Sequence, residues 1–381
     1  MKKASAFTFY FLYYAAIASL GPFVVLFYRQ LGFTGAQIGL LAGMSPLIML
    51  VGAPFWTGIA DATRRHRLIM GLTIAVVVVL VPILPIFKTF GPVIMLVALF
   101  SFFAAPITSF ADSATMSMLT GEKEMYGRVR LGGTIGWGLA ALVAGMLIQT
   151  YGLKLAFWGY AALMFLALIV SQRFVFGQSA EGVSLQGGVR TLVTNRRWVL
   201  FLALAFVGGM GFASINNYLL PYMEELKASK TTMGIALAIA TLFELPVLFF
   251  ADRLLKRFKA HGLLVLAMIV TGVRLLLYAA LNSPAGVLVV QILNGLTIPA
   301  AVVAGVSYAD ENAPAGMSAT AQGLFGAIVF GFGAAAGGFI GGPLLESIGG
   351  RGMYFVLGVM VLAGIAFITF IEWRLPAEQH G

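Results

Sequence analysis

The chain lacks cysteine and is poor in histidine and in charge, and each shortage excludes a class of protein. With no cysteine among 381 residues, disulfide bonds and thiolate metal sites are excluded. The three histidines, His66, His261 and His380, lie near the ends of apolar stretches, so a histidine metal site is not expected. Charged residues make up only 10%, against about 25% in ordinary soluble domains. We therefore expect no metal, no cofactor and no soluble globular fold.

Motifs of nucleotide binding and catalysis are missing as well. The sequence contains no phosphate-binding P-loop, no Gly-x-Ser-x-Gly nucleophile motif and no His-Glu-x-x-His zinc motif. The glycines of GGTIGWG (132–138) are spaced as in a nucleotide-binding loop, but they lie inside an apolar stretch with no preceding strand. We expect neither an enzyme nor an ATP-driven pump.

Long apolar stretches dominate what is present. The chain is 60% hydrophobic, with a mean hydropathy of +0.96, and a membrane-spanning helix needs roughly 20 apolar residues. The first stretch is too long for a cleaved signal peptide, so we expect it to be retained as a helix. The pattern predicts an all-α membrane protein with twelve transmembrane helices, at 5–28, 36–60, 68–87, 92–118, 129–150, 155–174, 198–221, 232–251, 261–281, 285–309, 318–345 and 352–373.

The net charge of +10 has a topological explanation. Most of the 24 Lys and Arg residues fall at the N-terminus, in the loops that follow even-numbered helices, and in the C-terminal tail. The positive-inside rule then places both termini and the central loop in the cytoplasm of a bacterial inner-membrane protein. We expect a monomer in the lipid bilayer, with a small-molecule substrate and protons as its partners, and no nucleic acid.

Short repeated motifs indicate that the chain consists of two related halves. Ser-Phe-Ala-Asp (109–112) ends the fourth predicted helix and recurs as Ser-Tyr-Ala-Asp (307–310) at the end of the tenth. GMLIQTYG (145–152) and GPLLESIG (342–349) close the fifth and eleventh. Paired six-helix halves with a midplane site between them are a known transporter architecture. We expect an N-terminal bundle at 1–175, a cytoplasmic linker at 176–197, a C-terminal bundle at 198–376 and a tail at 377–381.

Charged residues inside apolar stretches mark a candidate site. Arg274 interrupts the ninth stretch, where an arginine costs about 2.5–3.5 kcal/mol or more to insert, and Glu244 in the eighth is its nearest candidate partner. Burial favours a protonated carboxyl group and a neighbouring arginine favours the ionised form, so this pair suits proton uptake and release. A permanent structural ion pair is the alternative. Asp112 can reach Arg128 or Arg130, either as a substrate or proton contact or as a structural or gating pair.

Uncharged polar groups in apolar helices extend the candidate site. Asn216 and Asn217 lie in the seventh predicted helix, and Gln291 and Asn294 in the tenth share a face because they are three residues apart. Amides both donate and accept hydrogen bonds, which suits a polar organic solute; ordinary hydrogen bonding between helices is the alternative. Trp137 offers a flat ring for stacking on the solute, or simply packs.

These motifs resemble the major facilitator superfamily, and within it the branch that contains lactose permease, oligosaccharide–proton symporters and 3-phenylpropionate transporters. YGRVRLGGTIGWGL (126–139) is similar to the fifth helix of lactose permease. The resemblance implies that Arg130, Trp137 and Asp112 contact substrate and that Arg274 takes part in proton coupling. The loop after the second helix resembles the superfamily's Gly-Asp-basic loop motif, with Asp61, Arg64 and Arg65 in place. Asp252 repeats this acidic position after the eighth helix, and we assign it and Arg128 to the same gating set.

Departures from that branch limit what the resemblance implies. Gln291, Asn294 and Thr297 stand where lactose permease has a lysine, a histidine and a glutamate, and Ile215 stands where it has an aspartate. Sugar specificity is therefore not implied. Proton coupling would fall to Glu244 with Arg274, or to the Asp112 and Arg130 pair.

We therefore expect a secondary transporter that moves a small polar or amphipathic organic solute by alternating access, coupled to protons as a symporter. An uncoupled facilitator or an exporter of the same fold is the nearest alternative. A non-transporting membrane sensor is a more distant one.

Overall fold

A computed structural model describes residues 2–120, 122–177, 194–313 and 317–374. Most of the predicted linker and all of the predicted tail lie outside the described residues. The α-helices are α1 Lys2–Leu20, α2 Val24–Gln30, α3 Gly35–Thr63, α4 His66–Ile83, α5 Phe90–Ala104, α6 Ile107–Met118, α7 Tyr126–Tyr151, α8 Lys154–Ser171, α9 Arg196–Glu225, α10 Lys230–Phe249, α11 Ala251–Ala280, α12 Pro284–Val290, α13 Ile298–Glu311, α14 Ser318–Gly326 and α15 Ala334–Arg374. The all-α prediction is confirmed for these residues.

Eleven segments of the described residues are long and apolar enough to cross a membrane. The predicted count of twelve is not confirmed, because Ser318–Arg374 forms one candidate of 57 residues where two were predicted. Gly349 interrupts this segment with a φ of +68° and a ψ of 174°, which are not helical values. Gly152, which occupies the same place in the first repeat, also has a positive φ, +87°. Both repeated motifs thus end at a glycine in a conformation that other residues rarely adopt.

Two compact units make up the chain. The first consists of Met1–Gly182 and Leu220–Leu242, and the second of Val183–Leu219 and Phe243–Gly381. Helices α9 and α10 therefore each contribute to both units. This division is not the predicted one at the central linker, since a segment of the second half of the sequence belongs to the first unit. The predicted bundle boundaries stay a prediction.

Glycines on α7 bring α1 close in the first unit. A Cβ atom at Gly132 would lie 2.6 Å from the carbonyl oxygen of Phe7, and one at Gly136 would lie 2.2 Å from that of Phe11. Only a residue without a side chain permits this approach, as is common between membrane helices. The contact matters for function because α1 and α7 carry four of the five residues in the Asp112 cluster described below.

Glycines also allow close approach of helices in the second unit. A Cβ atom at Gly209 of α9 would lie 2.4 Å from the carbonyl oxygen of Val329, and one at Gly337 of α15 would lie 2.4 Å from that of Met210. Val329 lies in a π-helical turn, Ala327–Gly333, between α14 and α15. Helix α11 packs against both α13 and α15, which places its middle in the core of the unit.

The predicted tenth helix is broken in its middle. After α12 the chain forms a 3₁₀ segment, Gln291–Leu296, and Thr297 has a φ of −102° and a ψ of −100° before α13 begins. Residues three apart eclipse one another in a 3₁₀ helix, so Gln291 and Asn294 lie on one face. A Cβ atom at Gly295 would lie 2.1 Å from the carbonyl oxygen of Phe243. This close approach brings α10, and with it Glu244, beside the 3₁₀ segment.

Candidate functional site

A shell of neutral oxygen atoms surrounds the guanidinium group of Arg274, which is only 2% exposed. Its Nε donates to Tyr278 Oη at 2.9 Å, and its Nη1 donates to Asn294 Oδ1 at 2.6 Å and Thr297 Oγ1 at 3.2 Å. Its Nη2 donates to Gln291 Oε1, which also accepts from Tyr278 Oη at 2.8 Å. Each guanidinium nitrogen therefore has an acceptor, as a buried charge requires.

Asn294 connects Arg274 to Glu244. Its Nδ2 donates to Glu244 Oε1 at 2.7 Å, while its Oδ1 accepts from Arg274. Arginine can only donate and an ionised carboxylate can only accept, so the two charges fix the orientation of the amide between them. Glu244 and Arg274 are thus joined through Asn294 in a three-residue relay, in which Glu244 is half-buried. Their role in proton coupling stays a prediction.

The relay predicts a large stability effect at Asn294. Asn294→Leu should remove an acceptor from Arg274 and a donor from Glu244, and each buried polar group left without its partner costs about 1–3 kcal/mol. We expect a clearly lower thermal unfolding midpoint in detergent. Asn216→Leu, at an exposed amide on α9, is the matched control and should melt near the unmodified protein. Equal midpoints for the two variants would contradict a supporting role for the relay.

A second polar cluster lies in the first unit, around Asp112 of α6. Tyr10 Oη donates to Asp112 Oδ1 at 2.6 Å, and Arg130 Nη1 lies 3.4 Å from Asp112 Oδ2. Arg130 also donates to Tyr126 Oη at 2.7 Å and to Tyr14 Oη at 3.5 Å. The side chains of Arg130 and Asp112 are 43% and 32% exposed. Unlike Arg274, this pair keeps donors and acceptors accessible to a solute.

The tyrosines of both clusters follow from helical spacing, although the sequence analysis did not select them. Tyr10 and Tyr14 are four residues apart on α1, and the same interval separates Tyr126 from Arg130 and Arg274 from Tyr278. Side chains at this interval lie on one face of a helix. Tyr126 and Tyr278 each lie one turn from an intramembrane arginine, and this spacing was the signal that could have found these two tyrosines.

The other predicted solute contacts are dispersed. Trp137 is half-buried on α7, seven residues beyond Arg130, which is about 10 Å along a helix. Asn216 is exposed and Asn217 half-buried on α9. Gln291 and Asn294, by contrast, are 1% and 7% exposed and occupied by the Arg274 network. A direct contact of these amides with a solute stays a prediction.

Side chains at the start of α4 contact the end of α3 and the segment that follows α8. His66 Nε2 lies 2.8 Å from Asp61 Oδ1, and Arg67 donates from Nε and Nη2 to the carbonyl oxygen of Phe174, at 3.1 and 2.7 Å. The start of α4 therefore holds the segment that follows α8. The predicted gating role of the loop between α3 and α4 stays a prediction. The remaining residues of the predicted gating set are exposed: Arg64, Arg65, Arg128 and Asp252.

Comparisons with known proteins agree with the fold. A family model described as the MFS_1 like family matches residues 5–356. The chain is 28% identical over 371 residues to maltose permease of Geobacillus stearothermophilus, covering 96% of the chain and 93% of that protein. It is 24% identical over 377 residues to the uncharacterized transporter YwbF of Bacillus subtilis (strain 168), covering 98% and 93%. The crystal structure of nucleoside transporter NupG superimposes with a TM-score of 0.88 at 15% identity, covering 98% of this chain and 100% of that one.

Proposed function

The chain belongs to the MFS_1 like family of membrane transporters, and from this premise we propose that it moves a small polar or amphipathic organic solute by alternating access. We further propose proton symport across a bacterial inner membrane, with twelve helices and both termini in the cytoplasm. Its likeness to maltose permease supports a place beside the oligosaccharide–proton symporters. The solute itself is not assigned to the sugars.

The Asp112 cluster carries the solute-binding part of the proposal. A carboxylate, a guanidinium group and three tyrosine hydroxyls converge there, so acceptors and donors lie within one partly accessible site. Such a mixture suits a solute that carries hydroxyl, carbonyl or amino groups. Trp137, farther along the same helix, would cover an apolar or ring face of that solute.

The Glu244–Asn294–Arg274 relay carries the proton-coupling part. Protonation of Glu244 would turn a charge-assisted hydrogen bond from Asn294 into a weaker neutral one and would remove the negative charge that the relay joins to Arg274. A group that changes its interactions in this way biases any conformational equilibrium in which those interactions differ. Glu244 is therefore the proposed proton-binding group, and Arg274 the charge that responds to it.

A ligand screen followed by a matched pair of variants tests the solute site. A ligand at 100 times its Kd stabilises the protein by about 2.7 kcal/mol if it binds only the native state, so thermal shifts with sugars, nucleosides and aromatic acids identify a substrate. Arg130→Gln should then weaken its binding by about 10- to 150-fold, the range for a lost hydrogen bond to a charged group. Arg128→Gln removes an exposed arginine on the same helix and should bind normally. Equal affinities for the two variants would remove Arg130 from the site.

A further inference from the structure

The second copy of the repeated Ser-Phe/Tyr-Ala-Asp motif has no part in either cluster. It ends α13 at Asp310, whereas the first copy ends at Asp112. In the first unit the chain itself supplies the cation, because Arg130 pairs with Asp112. The corresponding carboxylate of the second unit has a different environment.

Among the described residues, the hydrogen bonds to the Asp310 carboxylate come only from neutral side chains. Ser318 Oγ donates to its Oδ1, and Gln322 Nε2 lies 3.5 Å from the same oxygen. Within this part of the chain no basic side chain forms an ion pair with Asp310, and its Oδ2 accepts no hydrogen bond. The side chain is exposed. One carboxylate oxygen is thus fixed by the first turns of α14, and the other is available.

A cavity of about 460 Å³ opens beside this carboxylate. Three valines of α13 give the cavity an apolar wall, and the other three lining residues are polar. The other polar residue of α13 in the lining, Ser307, already donates to Glu311 Oε1 at 2.7 Å. A volume of this size falls within the range of small-molecule sites. The lining residues are Val302, Val303, Val306, Ser307, Asp310 and Gln322.

We propose that this cavity binds a small organic cation, with its ammonium group at Asp310 and its apolar body against Val302, Val303 and Val306. Charge complementarity excludes an anion, since Asp310 is the ionisable residue of the lining and is acidic. A hard metal ion prefers about six or more oxygen ligands, and a valine wall supplies none. The inference goes beyond the proposed function, because binding here requires neither transport nor proton coupling.

Calorimetric titration of the full-length protein in lipid nanodiscs tests the site with three probes. Benzyltrimethylammonium carries both the charge and an apolar ring, tetramethylammonium lacks the ring, and benzyl alcohol lacks the charge. The first probe should bind more tightly than either of the others. Asp310→Asn should weaken its binding by about tenfold or more, while Glu311→Gln, at a carboxylate outside the cavity lining, should leave it unchanged.

Asparagine keeps an oxygen acceptor for Ser318 and Gln322, so the Asp310→Asn protein is expected to fold. Should it fail to fold, Val306→Trp replaces it, because that variant fills the cavity without altering the carboxylate and should abolish binding. The proposal is overturned if the benzyltrimethylammonium titration is the same for the unmodified protein and these variants. It is also overturned if benzyl alcohol binds as tightly as the cation.

Discussion

Replacing Glu244 with glutamine is expected to abolish proton-driven accumulation of the solute while solute exchange continues. Glutamine has nearly the size of glutamate and keeps an oxygen that accepts from Asn294 Nδ2, so the contact at 2.7 Å has a neutral replacement. It cannot take up or release a proton. Uphill transport requires that step, whereas exchange of solute for solute requires only the conformational change.

Proteoliposomes with an imposed pH gradient measure the first activity, and counterflow without a gradient measures the second. Glu311→Gln, at an exposed carboxylate on α13, is the matched control and should retain both. Unaltered pH-driven uptake by Glu244→Gln would refute the assignment and transfer it to Asp112, to be tested as Asp112→Asn. An unmodified protein that never accumulates solute under either gradient would be an uncoupled facilitator. Accumulation only under the opposite gradient would identify an exporter.

The residues of the buried relay could be selected from the sequence, but its geometry could not. Arg274 and Glu244 stand out because charge is rare in apolar helices, and Asn294 because it shares a face with Gln291. Hydropathy is the same for a continuous helix as for one broken at 291–296, so the 3₁₀ segment left no signal in that pattern. What decides the geometry is Gly295, whose missing side chain admits the backbone of α10.

The tyrosines were missed for a related physical reason. Tyr10 and Tyr14 lie in an aromatic run, FTFYFLYY (7–14), that reads as a lipid-compatible helix. Their hydroxyl groups become informative only when α1 is known to pack on α7. That packing depends on Gly132 and Gly136. The sequence supports close helix packing there, because small residues are typical of such contacts, but it does not identify the partner helix.

At the end of the chain, a repeated motif adds to the apolar pattern a second argument for two helices. GPLLESIG (342–349) predicts that a helix ends at Gly349, and the backbone there is not helical. The segments on both sides of Gly349 are apolar and helical, so they form one candidate span, Ser318–Arg374. A single helix of 57 residues would far exceed the roughly 20 residues needed to cross a bilayer, which is the argument for two spans there.

Gly145→Leu is expected to stop transport without unfolding the protein. A Cβ atom at Gly145 of α7 would lie 2.6 Å from the carbonyl oxygen of Lys230 and 2.9 Å from the Cα atom of Gly234, both on α10. The contact lies within the first compact unit, but α7 belongs to the predicted N-terminal bundle and α10 to the predicted C-terminal one. Alternating access by movement of one predicted bundle against the other would require this contact to open and close. Overpacking that costs about 1–3 kcal/mol shifts such an equilibrium about 5- to 150-fold, here toward the open state.

Because the sequence contains no cysteine, a single introduced thiol can report that shift by its rate of labelling. Thr241→Cys places a thiol on α10 at a position that is 7% exposed, and its maleimide labelling should accelerate when Gly145→Leu is added. Thr271→Cys, at a fully buried position on α11, should stay unreactive in both backgrounds. Normal transport together with unchanged labelling at position 241 would show that the contact at Gly145 does not move.

Gly132→Leu is the matched comparison for Gly145→Leu, because the α1–α7 contact is not expected to open during transport. Its Cβ atom would lie 2.6 Å from the carbonyl oxygen of Phe7, as close as the clash at Gly145, but α1 and α7 both belong to the predicted N-terminal bundle. No transport step is expected to part these helices, so the clash has no open state to favour and must destabilise the fold. We therefore expect a lower unfolding midpoint for Gly132→Leu and a nearly unchanged one for Gly145→Leu. Two clashes of the same size would then differ in effect because only the one at Gly145 joins the two predicted bundles.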